Sequence, residues 1–209
     1  MTDDETIQQL IEFFSRSTES EFTRLFGEQK ANALHKLYDR QFRIHYNNYN
    51  HMMPNPLARR HGINSLFVMA LDDALMEIKA SYSQLKESVL AIYHEMLKEF
   101  YETEVQQLEA SKDKWRAFIE WVRRGNKANY DNEFFKVLEV QQDDKCFGFD
   151  IQKCLYFDIF REAGRQELGP ILCEFDSILA SYLDKWIKFT RYETIASGDK
   201  RCTFRYERL

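Results

Sequence analysis

Helix breakers are scarce in this chain: 209 residues contain only three prolines and seven glycines. That scarcity argues against a loop-rich fold and for long helices with few interruptions. Long apolar runs are missing too. None approaches the roughly 20 residues that a membrane-spanning helix requires. There is no basic excess, since 29 Lys and Arg stand against 34 Asp and Glu, which argues against a nucleic-acid-binding surface. The opening MTDDETIQQL is acidic and polar, without the positive and apolar regions of an export signal, so the expected compartment is the cytoplasm. The four cysteines include no C-x-x-C pair, and in a reducing compartment they read as thiols rather than disulfides. Internal repeats and low-complexity segments are also absent.

Aromatic residues are abundant, with 17 phenylalanines and 11 tyrosines, enough for an aromatic-rich core or pocket. The expected organisation is one α+β domain over 1–209. Residues 1–126 form its mostly helical part, and 130–209 form the part that carries the sheet and the site.

In chain order, Ile7, Leu10, Ile11 and Phe14 fall at helical spacing behind Thr2 and Asp3 as caps. A second helical segment starts near Ser20 and carries Phe22, Leu25, Phe26, Leu34 and Leu37. The stretch YNNYNHMMPNP, Tyr46 to Pro56, reads as the clearest loop. His35, His45 and His51 lie in this region without a convincing ligand spacing. From Asn64 to Ala110, Leu71, Ile78, Leu85, Ile92 and Phe100 recur at close to seven-residue intervals. Such a stripe is a core-facing or helix-pairing seam, and it offers a route to a homodimer. Ala80–Ser83 is its expected break. SKDKWRAFIEWVRRG follows as a helix with Ser111 as cap and Gly125 as stop.

After Asn126 the hydrophobic period shifts from 3.6 towards 2. Phe134–Val140 and Cys146–Gln152 read as two strands around QQDDK. A helix over Leu155–Ala163 stops at Gly164, and Gly169-Pro170 starts another. Two last strands, Trp186–Ile195 and Cys202–Tyr206, flank ASGDKR. The expected fold is therefore α+β. N-terminal helices pack around a small, mainly antiparallel four-stranded sheet, with two helices inserted between its hairpins.

Three of the four cysteines fall in this last quarter. Cys154 and Cys173 read as first-turn helix residues, where the helix dipole favours thiolate. Cys173 lies off the apolar stripe of its helix and three residues from Asp176, so the two side chains can meet. Cys202 opens the last strand. Whether it shares a site with Thr194 depends on a hairpin register that counting leaves open. A three-thiolate metal site of Cys154, Cys173 and Cys202 is a lesser alternative, and no cofactor is expected.

Cys154, Leu168-Gly169, Cys173-x-x-Asp176 and Arg191-x-x-Thr194-x-x-x-Gly198-x-x-x-Cys202-x-Phe204, preceded by Trp115-x-x-Phe118, together resemble the L-2-amino-thiazoline-4-carboxylic acid hydrolase family. The resemblance covers about Lys114 to Tyr206; upstream only the helical layout agrees. It implies hydrolysis of a C–N bond in a small cyclic amidine, giving carbamoyl-cysteine and cysteine. The carbon between ring sulfur and nitrogen is electrophilic once the amidine is protonated. A thiolate could attack it, or a carboxylate could activate water. Cys154, Cys173 and Asp176 are the candidate catalytic residues; Arg191, Thr194 and Cys202 are the candidate substrate-binding ones. Arg191 suits the substrate carboxylate. The closing hairpin is also similar to vinyl-reductase-type domains, which implies a non-catalytic small-molecule-binding or sensor role as the alternative.

Overall fold

A computed structural model describes residues 3–209; Thr2, one of the expected caps, lies outside them. The fold is α+β, and its strands form one four-stranded antiparallel sheet of order β1-β2-β4-β3. The chain divides into two compact units. One comprises residues up to Met96 together with Tyr156–Leu172, and the other comprises Leu97–Leu155 with Cys173–Leu209.

The first unit is helical. Its helices α1 (Asp3–Phe26) and α2 (Glu28–Tyr49) are separated by Gly27 at φ 76°, not by a break near Ser20. α2 runs on into the expected Tyr46–Pro56 loop, as far as Tyr49. Tyr46 stacks on Phe42 and Tyr49 on His45, and such i,i+4 aromatic pairs outweigh the weak helix propensity of the asparagines. The break shrinks to a 3-10 turn at Asn50–Met52 and a short link. Asn55 then caps α3 (Pro56–Met76), accepting a hydrogen bond from Ala58 N, with Pro56 in the first turn.

α3 is buried nearly all round, from Ile63 to Leu71 apart from Asn64, which marks it as a central helix. Phe67 stacks on Phe14 at 4.2 Å, with Tyr93 edge-on to both rings. Leu71, Leu85 and Ile92 of the heptad seam are buried within this chain, whereas Phe100 is exposed. A turn through Lys79, at φ 54°, divides the seam before α4 (Tyr82–Glu109). The histidines find partners within this unit: His45 lies 2.7 Å from Asp73, and His35 lies 2.9 Å from the Ser15 hydroxyl.

The second unit holds the sheet. α5 (Lys114–Asn129) is capped by Asp113 rather than Ser111 and continues past Gly125. The Asn129 side chain donates to the Gly125 carbonyl there, one turn back. β1 (Phe135–Gln142) and β2 (Cys146–Cys154) form the expected hairpin. On one face of β2 and β4 (Cys202–Arg208), Phe147, Phe149, Ile151, Cys202, Phe204 and Tyr206 pack with Trp115, Phe118, Ile119 and Val122 of α5. Phe149 and Phe204 stack at 4.7 Å, and Tyr206 meets Phe118 edge-on at 5.0 Å.

α6 (Leu155–Glu162) ends before Gly164, as expected. The following helix is interrupted: α7 (Gly169–Cys173) stops, a tight turn passes through Glu174 and Phe175, and α8 (Asp176–Leu183) resumes. β3 is only Ile187–Thr190, shorter than the expected Trp186–Ile195. Beyond it the Thr203 hydroxyl takes over the role of the ladder, accepting from the backbone N–H groups of both Tyr192 and Glu193. The chain returns through a 3-10 turn, Ile195–Ser197, and Gly198 at φ 94°.

A Cβ at Gly198 would meet nothing within 4 Å, so substitution there tests backbone conformation alone. Gly198→Ala should destabilise the protein by about 1–2 kcal/mol, read from the urea denaturation midpoint.

Candidate active site

The centre of the site is an ion pair. Asp176 stands in the first turn of α8, and Arg191 follows β3 directly. Arg191 Nη1 donates to Asp176 Oδ2, and Nη2 donates to the Cys173 carbonyl at 3.0 Å. That carbonyl is available because α7 ends at Cys173 and leaves its last carbonyls without helical partners. The guanidinium also lies over the Phe204 ring, 5.7 Å from its centroid.

Burial and this pair oppose each other. Burial raises the Asp176 pKa from 3.8 to about 6, with Arg191 pulling it down only in part. Some 23% of the Asp176 side chain remains exposed, so solvent reaches a carboxyl poised near neutrality. Arg191 shows the converse balance: burial disfavours its charge, yet the neighbouring carboxylate more than restores it.

The expected first-turn helix positions of Cys173 and Cys154 are corrected by the structure. Cys173 closes α7 instead of opening a long helix, so the C-terminal end of the dipole faces it. Burial above all, then Cys154, Asp176 and Cys202, push its thiol well above the ordinary value. Burial also raises Cys202, although the Ile195 N–H, 3.3 Å from its sulfur, and Arg191 oppose the shift. Cys154 ends β2, opposite Phe135, and immediately precedes α6 rather than lying in its first turn.

The register question resolves as follows. β3 meets β4 only from Thr190–Arg205 to Ile187–Arg208, so Cys202 has no ladder partner in β3 and pairs with Ile151 of β2. Thr194 serves its own turn, accepting from Ser197 N at 3.2 Å and donating to Ser197 Oγ at 2.8 Å. The structure thus gathers Cys154, Cys173, Asp176, Arg191 and Cys202 into one electrostatically coupled cluster, while the Thr194 hydroxyl is engaged elsewhere. Among the described residues, no three His, Cys, Asp or Glu side chains are arranged to hold a metal ion.

A family model described as L-2-amino-thiazoline-4-carboxylic acid hydrolase matches residues 60–206. The chain belongs to this family. No curated protein matches it, and no helix among the described residues is long and apolar enough to cross a membrane. The hydrolase-family match begins in α3, well upstream of the Trp115 motif.

Three features of this family member escape pattern reading. Burial above all, and then the Asp176 charge, raises the pKa values of Tyr101 and Tyr206. Tyr206 shares strand alternation with Cys202 and Phe204, so its face was legible; Tyr101, far upstream on α4, carried no signal. The third feature is Asp150, 1% exposed on the opposite face of β2. It receives Arg205 Nη2 at 2.7 Å and faces Arg201 Nη1 at 3.1 Å. Arg201 in turn holds Glu193, two residues from Arg191. Gly148, opposite Arg205, makes this crossing feasible, since a Cβ there would lie 2.8 Å from Arg205 Cδ.

Asp150→Ala should therefore cost about 1.5–3 kcal/mol, the range for hydrogen bonds to charged groups, measured by chemical denaturation. Asp150→Asn should cost less, because it keeps an acceptor for Arg205.

Proposed function

We propose that the protein hydrolyses a small cyclic amidine of the 2-amino-thiazoline-4-carboxylate type. In this reading Asp176 acts as general base and Arg191 as a positioning residue. The observation that carries it is a carboxyl raised to about 6 by burial, yet oriented by a guanidinium and open to solvent. A general base works best when its pKa lies near the operating pH. Family membership supports the substrate class.

The chemistry balances with one water. Asp176 takes a proton from water as its oxygen bonds to the carbon between ring sulfur and nitrogen. The tetrahedral adduct collapses by breaking the bond from that carbon to the ring nitrogen. Asp176 returns the proton to the departing nitrogen, and carbamoyl-cysteine leaves. Attack by water is favoured over attack by Cys173 or Cys202, because both have raised pKa values and are protonated at neutral pH, which makes them poor nucleophiles.

Incubation with 2-amino-thiazoline-4-carboxylate should yield carbamoyl-cysteine by mass spectrometry; no turnover would remove the assignment. Asp176→Asn should lower kcat/KM by about 10²–10⁴-fold, whereas Cys173→Ser should stay within about tenfold of wild type. The reverse pattern would restore the thiol route.

The pH dependence has a definite sign. Activity should fall as Asp176 is protonated below about pH 6. Stability runs the other way. A carboxyl whose pKa rises on folding favours the folded state fully below its ordinary 3.8, and that contribution is lost as pH rises through about 6. Thermal melts of wild type against Asp176→Asn across this window should show wild type losing relative stability as pH increases.

A further inference from the structure

Arg191 is the first residue beyond the β3 ladder, which ends at the Thr190–Arg205 pair. The ladder thus stops short of the residue whose guanidinium must meet two acceptors on other elements. What holds the chain there is a hydroxyl. Thr203 Oγ1 accepts from the N–H groups of Tyr192 and Glu193, at 2.9 and 3.0 Å. The Thr203 N–H donates in return to the Glu193 carbonyl at 3.0 Å. A hydroxyl oxygen has two lone pairs, so both are engaged by the two residues that follow Arg191. Thr203 is 3% exposed. Water has little access to replace its hydroxyl, and removing it leaves two N–H donors without their acceptor.

Strand alternation makes this hold two-sided. Phe204, next along β4, lies on the other face, with the Arg191 guanidinium 5.7 Å from its ring centroid. Successive residues of one strand thus grip one arginine, Phe204 at its side chain and Thr203 through the backbone that follows it. The other ties on this segment are weaker. The Arg201–Glu193 ion pair is 46% and 39% exposed, where such pairs contribute little. The Tyr192 side chain is 76% exposed. Thr203 is the buried tie, and a misplacement of about 1 Å is enough to spoil a positioned contact.

We propose that Thr203 is a positioning residue for the Arg191–Asp176 pair, its hydroxyl setting the backbone from which the guanidinium reaches the carboxylate. Its bearing on catalysis rests on the general-base reading of Asp176. Arg191 is the group that opposes the effect of burial on the Asp176 carboxyl. The thiols of Cys173 and Cys202 and the phenols of Tyr101 and Tyr206 share its field but are neutral at neutral pH. None of them can stand in for a displaced guanidinium, so the carboxyl should then titrate higher.

The test follows the Asp176 carboxyl signal by NMR across pH, in ligand-free protein with isotope-labelled aspartate. The signal is assigned by its absence from Asp176→Asn. Thr203→Val and Thr203→Ala lose the hydroxyl, Thr203→Ser keeps it, and Arg191→Gln marks complete loss of the guanidinium. Wild type should titrate near 6. The two hydroxyl-free variants should move up by roughly one pH unit, towards Arg191→Gln, while Thr203→Ser stays with wild type. If one hydroxyl-free variant fails to fold, the other decides. An unmoved midpoint in them, an equal shift in Thr203→Ser, or loss of folding in both would overturn the inference. The readout needs no substrate, so absence of thiazoline turnover would remove the hydrolase assignment and leave this one standing. With turnover, the acid limb of kcat/KM should move up together with the carboxyl.

Discussion

The bridge made by Arg191, from the Asp176 carboxylate to the Cys173 carbonyl, is the interaction on which the site depends. It joins a helix end, a helix start and a strand end, three points that local structure alone leaves with unmet polar groups. It also leaves the carboxylate incompletely compensated. Removing two charges from water costs several kcal/mol per ion, and one guanidinium shared between two acceptors repays only part of that. The residual deficit is why Asp176 titrates near 6 instead of falling to the low value of a fully satisfied ion pair.

Delivering Arg191 to that bridge is the work of the other sheet face. β4 alternates between Cys202, Phe204 and Tyr206 on the aromatic side and Thr203 and Arg205 on the polar side. Thr203 secures the backbone just after Arg191, and the Asp150–Arg201–Glu193 chain secures the same segment through side chains. One short strand thus supplies both the floor of the site and the anchor of the loop above it. The buried charge at Asp150 reads as part of this positioning apparatus rather than as a second reactive centre.

Much of the fold was legible because it rests on local periodicity and turn chemistry. The β1–β2 hairpin, the stop at Gly164 and the start at Gly169-Pro170 all follow from alternation or backbone preference within a few residues. Errors gathered where a distant group overrode a local preference. Aromatic pairs carried α2 through its asparagines, and the Thr203 hydroxyl replaced the ladder beyond Thr190. In the site, Asp176 and Arg191 were nominated from their motif, but their mutual bond was not. Arg191 was assigned to a substrate carboxylate, and its bonds to Asp176 and the Cys173 carbonyl were not foreseen.

By itself, the sequence determined the α+β class, the strand faces and the family-bearing spacing of Cys173, Asp176 and Arg191, since these are set by residue type at short range. Only the tertiary structure decided the electrostatics. Whether a thiol pKa is raised or lowered, and whether a carboxyl titrates near 4 or near 6, depends on how much water is excluded and which charges lie nearby. Those quantities arise from residues far apart in the chain, as Tyr101, Asp176 and Tyr206 are. The break after Cys173 illustrates the division: spacing alone put this cysteine near an aspartate, whereas the fold set it at the end of a helix, where burial raises its thiol pKa.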